Sequence, residues 1–141
     1  MKKILLSLLL VLLLLAGTVA CGERAPAPPA PDEVLGEELQ PIGQGETVFQ
    51  FTVTDPDGVI MGWDVATDEE TVGAALVAVG LIAGHEGEWG LMVTEVNGVT
   101  ADWDADGAFW AFYMDGEFAT AGVDATYIEA GVLYAFVYTT G

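Results

Sequence analysis

The stretch Phe109-Trp110-Ala111-Phe112-Tyr113-Met114-Asp115-Gly116-Glu117-Phe118 leaves the backbone few choices. Bulky aromatic side chains favour a pleated strand, and Asp-Gly closes a tight hairpin because both turn positions require positive φ. Two antiparallel strands are therefore expected, Ala108 to Met114 and Glu117 to Ala121. Upstream, Thr47 to Thr54 alternates Phe49, Phe51 and Val53 with Gln50, Thr52 and Thr54, the pattern of a half-buried strand. Asp55-Pro56-Asp57-Gly58 carries turn chemistry, and Val59 to Val65 returns with Val59, Met61, Trp63 and Val65 aligned. Asn97-Gly98 turns a further strand, Leu91 to Val96, and Val132 to Thr139 reads as the last one.

Helical spacing occurs between these hairpins. Thr67-x-x-Glu70 has the form of a capping box, and Val72, Ala75, Leu76, Val79 and Ile82 then share one face until Gly80 or Gly84 stops the helix. The expected order is β-β-α-β-β-β, and His85 falls in a loop. A hairpin, one helix across a sheet face and further strands is the order of a β-grasp, or ubiquitin-like, α+β fold with an antiparallel or mixed sheet. Residues 46–141 suit one small domain with one core.

The N-terminus has a different character. Lys2 and Lys3 precede an apolar run from Ile4 to Leu15 and a small-residue exit ending at Ala20-Cys21, the layout of a secretory signal over residues 1–20. Cys21 is the single cysteine, so no internal disulfide can form, and its place directly after the apolar run points to lipidation. The expected location is extracytoplasmic, held at a bacterial cell membrane by that lipid. Ordinary cleavage after Ala20 would instead give a secreted protein, and an uncleaved segment would nearly span a bilayer. Residues 21–45, with Pro26, Pro28, Pro29, Pro31 and Pro41 among Ala and Glu, read as an extended tether. Loss of Lys2 and Lys3 would move the formal charge further negative than the −19 of the whole chain. Nucleic acid and anionic lipid surfaces are excluded as partners by repulsion, and lysine-based Schiff-base or isopeptide chemistry is excluded outright.

Residues 47–139 resemble the transcobalamin-like C-terminal domain family, whose bacterial members are secreted or lipid-anchored. The resemblance is carried by Thr71-Val72-Gly73-Ala74-Ala75-Leu76, Val96-Asn97-Gly98-Val99, the Phe109 to Glu117 run and Gly122-Val123-Asp124. The family usually has Asn where Asp115 stands and Asp-Gly-Asp where this chain has Ala130-Gly131-Val132. In the family's vitamin carriers the equivalent domain covers one face of cobalamin and a separate α-helical domain covers the other. The resemblance implies a binding module for a small-molecule corrinoid, with cobalamin as candidate ligand and Trp110, Phe112, Tyr113 and Met114 as candidate contacts. Strand alternation separates Trp110 and Phe112 from Phe109, Ala111 and Tyr113, so one of these sets is core.

One other constellation bears on function. Asp102-x-Asp104-x-Asp106-Gly107 matches the first half of an EF-hand loop, which would make Asp102, Asp104 and Asp106 ligands for Ca2+. Position twelve of that loop is Tyr113 rather than glutamate, so Asp124 or Glu117 would have to complete the shell. Such a site would suit an alternative role as a calcium-stiffened adhesive or structural module recognising a surface protein or glycan. Catalysis is not expected: His85 is the single histidine, Arg24 lies in the tether, and abundant carboxylates carry no specific signal.

Overall fold

The structure, a computed structural model, describes residues 39–141. The leader, Cys21 and the tether up to residue 38 lie outside the described residues. Strands β1 (Gln40–Gly43), β2 (Thr47–Thr54) and β3 (Ile60–Thr67) are followed by helix α1 (Val72–Ala78). Strands β4 (Ile82–Gly87), β5 (Gly90–Val96) and β6 (Val99–Thr100) come next, then the helical turn α2 (Trp103–Asp106). Strands β7 (Ala108–Met114) and β8 (Glu117–Phe118), a 3-10 turn (Val123–Ala125) and β9 (Leu133–Thr140) complete the domain. The architecture is mixed α and β, mostly strands in two sheets: a six-stranded sheet in the order β1-β3-β2-β9-β7-β8 and a three-stranded sheet β4-β5-β6.

The expected hairpins form where turn chemistry demanded them. The β2–β3 turn is closed by Asp55, whose Oδ1 accepts from the N–H groups of Asp57 at 2.8 Å and Val59 at 2.9 Å. Asn97-Gly98 and Asp115-Gly116 take positive φ at both positions, 48° and 78° in the first, 49° and 80° in the second, as a turn matched to strand twist requires. Asp115 does more than turn the chain. Its N–H donates to the Leu133 carbonyl and its Oδ1 accepts from the Leu133 N–H, both at 2.8 Å, clipping the hairpin tip to the start of β9. A carboxylate supplies the same acceptor as the amide that the resembled family usually carries there.

Three features depart from the sequence reading. Gln40–Gly43, assigned above to the tether, form an edge strand parallel to β3, and Pro41 is tolerated in it because an edge leaves one side of the backbone unpaired. The helix is capped by Thr71, whose Oγ1 accepts from the Ala74 N–H at 3.2 Å, not by Thr67, whose hydroxyl accepts from the Glu69 N–H in the preceding turn. Ile82 starts β4 instead of ending the helix, and His85 therefore lies on a strand, opposite Met92. The last strand, β9, for which the sequence set no sheet position, inserts between β2 and β7, parallel to β2 from Gln50↔Leu133 to Thr54↔Val137 and antiparallel to β7.

That insertion builds the core. Alternate residues of four adjacent strands send aromatic rings to one face, so that Trp63, Phe51, Phe136 and Phe112 follow one another at centroid separations of 6.0, 6.1 and 5.1 Å. Tyr134 extends the layer, edge-on to Phe49 at 5.6 Å and stacked on Phe112 at 6.2 Å. Such contacts each contribute about 0.5–1.5 kcal/mol beyond the area they bury. Val72, Ala75 and Leu76 of α1, Ile82 of β4, Val96 of β5 and Val123 of the 3-10 turn join the same buried cluster. The Tyr134 hydroxyl does not float in this core: it accepts from the Glu129 N–H at 2.9 Å and donates to the Tyr127 carbonyl at 3.3 Å.

Gly73 sets how closely the helix approaches the 3-10 turn, since a Cβ there would lie 2.8 Å from both N and Cα of Asp124. We expect Gly73→Ala to lower stability by about 1–3 kcal/mol through overpacking, although alanine favours helix elsewhere; denaturant unfolding measures the balance. Burial raises the Tyr134 pKa above its usual value, with backbone hydrogen bonding from Glu129 opposing the shift. A phenol whose folded pKa exceeds its unfolded value contributes stability below the unfolded pKa and loses it as pH climbs past about 10. Tyr134→Phe should therefore be less stable at neutral pH, by about 1–2 kcal/mol for the orphaned Glu129 N–H, and flatter in its alkaline unfolding curve than the parent.

Candidate functional site

The residues expected to touch a ligand do not share one surface. Trp110 is a buried member of the core layer, with its ring edge-on to Tyr138 at 5.4 Å and its Nε1–H donated to the Val99 carbonyl at 3.0 Å. Phe112 is held between Tyr134 and Phe136. Tyr113 faces the other side of the sheet, half-buried and edge-on to Phe118 at 5.6 Å, and Met114 packs against the core cluster. Alternation along β7 makes this separation unavoidable.

What the core does present to the outside is a trough along β5. At the helix end, a depression of about 550 Å3 has Glu69, Glu86 and Asp124 around Val77 and Leu91. A smaller one of about 150 Å3 is bordered by Leu91, Val93, Trp110 and Phe112. At the far end a depression of about 570 Å3 is lined by His85, Met92, Trp103, Asp104, Phe109 and Trp110, among others. Leu91 borders the first two and Val93 and Trp110 the last two, so neighbouring depressions share lining residues along β5. Soft, polarisable side chains dominate the far end, where Met92 is 56%, Trp103 60% and Phe109 39% exposed.

The trough's shape depends on Asp124. Its Oδ2 accepts from the Leu91 N–H at 3.1 Å and ties the 3-10 turn to β5, while its Oδ1 is buried without a partner among the described residues. Gly73, Asp124 and Leu91 thus meet at one joint, which accounts physically for two of the motifs that carried the family resemblance. The sequence reading missed Met92, Trp103 and Phe109. Phe109 was available from alternation as the partner set to Trp110; Met92 and His85 become neighbours across a strand pair that the glycine-rich β4 segment did not announce.

The acidic run does not make a calcium loop. Asp102 caps α2, its Oδ1 accepting from the N–H groups of Asp104 at 2.9 Å and Ala105 at 3.1 Å, and Gly107 closes the turn in the left-handed region at φ 60°. A helical backbone rotates successive side chains by about 100°, so Asp104 is turned about 200° from Asp102 and from Asp106, and the three carboxylates do not converge on one ion. Among the described residues no group of three or more His, Cys, Asp or Glu side chains is placed to hold a metal ion. These residues do not fit Ca2+.

Residues 69–133 match the model of a domain family of unknown function, DUF4430. A crystal structure of a protein from Ruminococcus gnavus ATCC 29149, described as a candidate metal-binding protein, superposes with a TM-score of 0.64 at 28% identity, covering 68% of this chain and 99% of that one. Haptocorrin in complex with Cbi is also similar, with a TM-score of 0.50 at 16% identity over 66% of this chain. The match spans 25% of haptocorrin's length, and at that identity it shows a shared fold alone. A search of curated protein sequences finds no match. The similarity to haptocorrin is thus one of fold.

Because Asp102 caps α2, Asp102→Ala should cost about 1 kcal/mol and Asp102→Asn much less, with both values unchanged by millimolar calcium. Thermal unfolding in calcium and in chelator checks this. A calcium-dependent rise in Tm for the parent chain, abolished in Asp102→Asn, would restore the metal reading.

Proposed function

We propose that this chain is an extracytoplasmic, lipid-anchored, non-catalytic binding module with a β-grasp domain, and that the trough along β5 takes a flat, largely apolar small molecule, a corrinoid such as cobalamin being the first candidate. The β-grasp reading is supported by β2 and β9 running parallel at the sheet centre, with β3 and β7 outside them and α1 on one face. The anchor reading rests on Cys21 directly after the apolar leader. Absence of catalysis is supported by a domain sequence that contains no Ser, Cys, Lys or Arg from residue 39 onward.

The observation that carries the ligand reading is the trough itself. Its middle and far end are walled by Val93, Trp110, Phe109 and Met92, which offer contact area and dispersion to a large flat molecule while asking for no charge partner. A phosphate-rich or otherwise anionic ligand is disfavoured, since no Lys or Arg stands between residues 39 and 141. Trp89 supports a second reading, recognition of a protein or glycan. It is 90% exposed at the tip of the β4–β5 hairpin, and an indole held out on a tight turn is an anchor of the kind that dominates interfaces.

The test is a titration of the full chain, in a non-ionic detergent, with cobinamide and with cobalamin, followed by corrin absorbance and by heat. Saturable one-to-one binding, weakened about tenfold or more by Phe109→Ala or Met92→Ala and unaffected by Trp89→Ala, is the expected result. Absence of any spectral shift at millimolar corrinoid would remove the corrinoid reading and leave the Trp89 tip as the surface to pursue.

A further inference from the structure

The far end of the trough has chemistry that a neutral flat ligand does not use. Trp103 and Phe109, both partly exposed, meet at 6.1 Å with their planes tilted by 60° and form a corner whose Trp103 benzo ring also lies against Gly141, and His85, Met92 and Trp110 line the same depression of about 570 Å3. The Trp110 Nε1–H is already donated to Val99, so this indole offers the depression only carbon surface. Asp102 and Asp104 border it as well. Aromatic faces carry negative charge density, and carboxylates add a field of the same sign. No Lys or Arg exists between residues 39 and 141 to occupy those faces or to cancel that field.

From this we propose that the corner formed by Trp103 and Phe109 is a site for a free small quaternary or fully methylated ammonium compound. Three features select that chemistry over other cations. A hard metal ion needs clustered oxygen ligands, and none are assembled among the described residues. A primary ammonium holds its water strongly and must find hydrogen-bond acceptors in exchange. An N-methylated cation hydrates weakly, covers its charge with methyl groups that pack against Trp, Phe and Met, and is attracted by aromatic faces from within about 6 Å of the ring centroids. The carboxylates at the border then raise the local cation concentration without having to touch the ligand. A choline headgroup presented by a membrane is the less suitable source, because the strongly acidic domain is repelled from any surface that also carries anionic lipid. This inference does not depend on corrinoid binding.

The experiment titrates the full chain, in a maltoside detergent free of phosphocholine, with choline and with tetramethylammonium, and compares 3,3-dimethylbutan-1-ol, the uncharged carbon isostere of choline. Heat and tryptophan fluorescence report binding. The expected result is saturable one-to-one binding of both cations, an affinity for choline about tenfold or more above that of the neutral isostere, and weakening with added salt. Trp103→Leu should lower the affinity about tenfold while Trp103→Phe retains part of it, and circular dichroism of these exposed-site variants verifies the fold. The proposal is overturned if choline and its isostere bind equally, if neither cation binds, or if, in a parallel sedimentation assay, phosphatidylcholine vesicles bind the chain while the free cations do not. The isostere comparison decides the matter even should a variant fail to fold.

Discussion

The aromatic layer on one face of the large sheet is the constraint from which the rest of the domain follows. It requires β3, β2, β9 and β7 to lie side by side in one register, because a shift of one residue on any strand would turn its rings to the opposite face. Two of those strands are contributed by the first third of the domain and two by the last, so neither half can bury its rings alone. The parallel β2–β9 contact joins them and makes folding depend on long-range pairing. Once formed, the layer is a broad apolar face that must be covered, and α1, the β4–β5–β6 sheet and the 3-10 turn are the pieces that cover it. The trough along β5 lies where these coverings meet the layer's margin, which is why Trp110 and Phe112 border it from below while remaining buried.

How much of this could be read beforehand depended on whether the signal was local. Alternating aromatics and the Asn97-Gly98 and Asp115-Gly116 turns fixed the strands at β2, β3, β5, β7 and β9, since those signals act within a few residues. Strand β4 was hidden because Ala83-Gly84-His85-Glu86-Gly87 has little intrinsic preference for a sheet; pairing with β5 imposes it, across a bulge at Ala83/Gly84. Strand β1 was hidden by its proline. The helix cap was misplaced by four residues because Thr67 and Thr71 both carry a suitable hydroxyl, and only the backbone geometry tells a turn from a cap.

The candidate site was less legible than the fold for a related reason. Large aromatic residues signal burial and binding alike, and β7 assigns one set to each side without saying which side is covered. The Asp102-x-Asp104-x-Asp106-Gly107 pattern is likewise shared by two structures. A calcium loop and a capped helical turn both want an acceptor first and a glycine last, and they differ in whether the backbone between is coiled around an ion or hydrogen-bonded to itself. Here Asp106 N–H donates to the Asp102 carbonyl at 2.8 Å, and the second structure is the one present. Tyr113 at the position where a calcium loop needs its glutamate was the residue that already favoured it.

The lack of basic residues has a structural consequence as well as a functional one. A domain with no Lys or Arg cannot use ion pairs among its described residues except through His85, so its carboxylates must find other partners or none. Asp55, Asp68, Asp102, Asp115 and Asp124 all accept from backbone N–H groups, at turns, at a helix start and across strand ends. Aspartate suits this role because its short side chain loses little freedom and reaches its own neighbourhood, and a charged acceptor makes a stronger bond than a neutral one. Negative charge is thereby fixed at the loops that hold the sheets together, while the core layer stays free of it. The same arrangement leaves the surface of the described residues with carboxylates and no Lys or Arg, so that its field favours neutral or cationic groups over anionic ones, and the apolar depression bordered by Asp102 and Asp104 is where that field and the exposed aromatic area coincide.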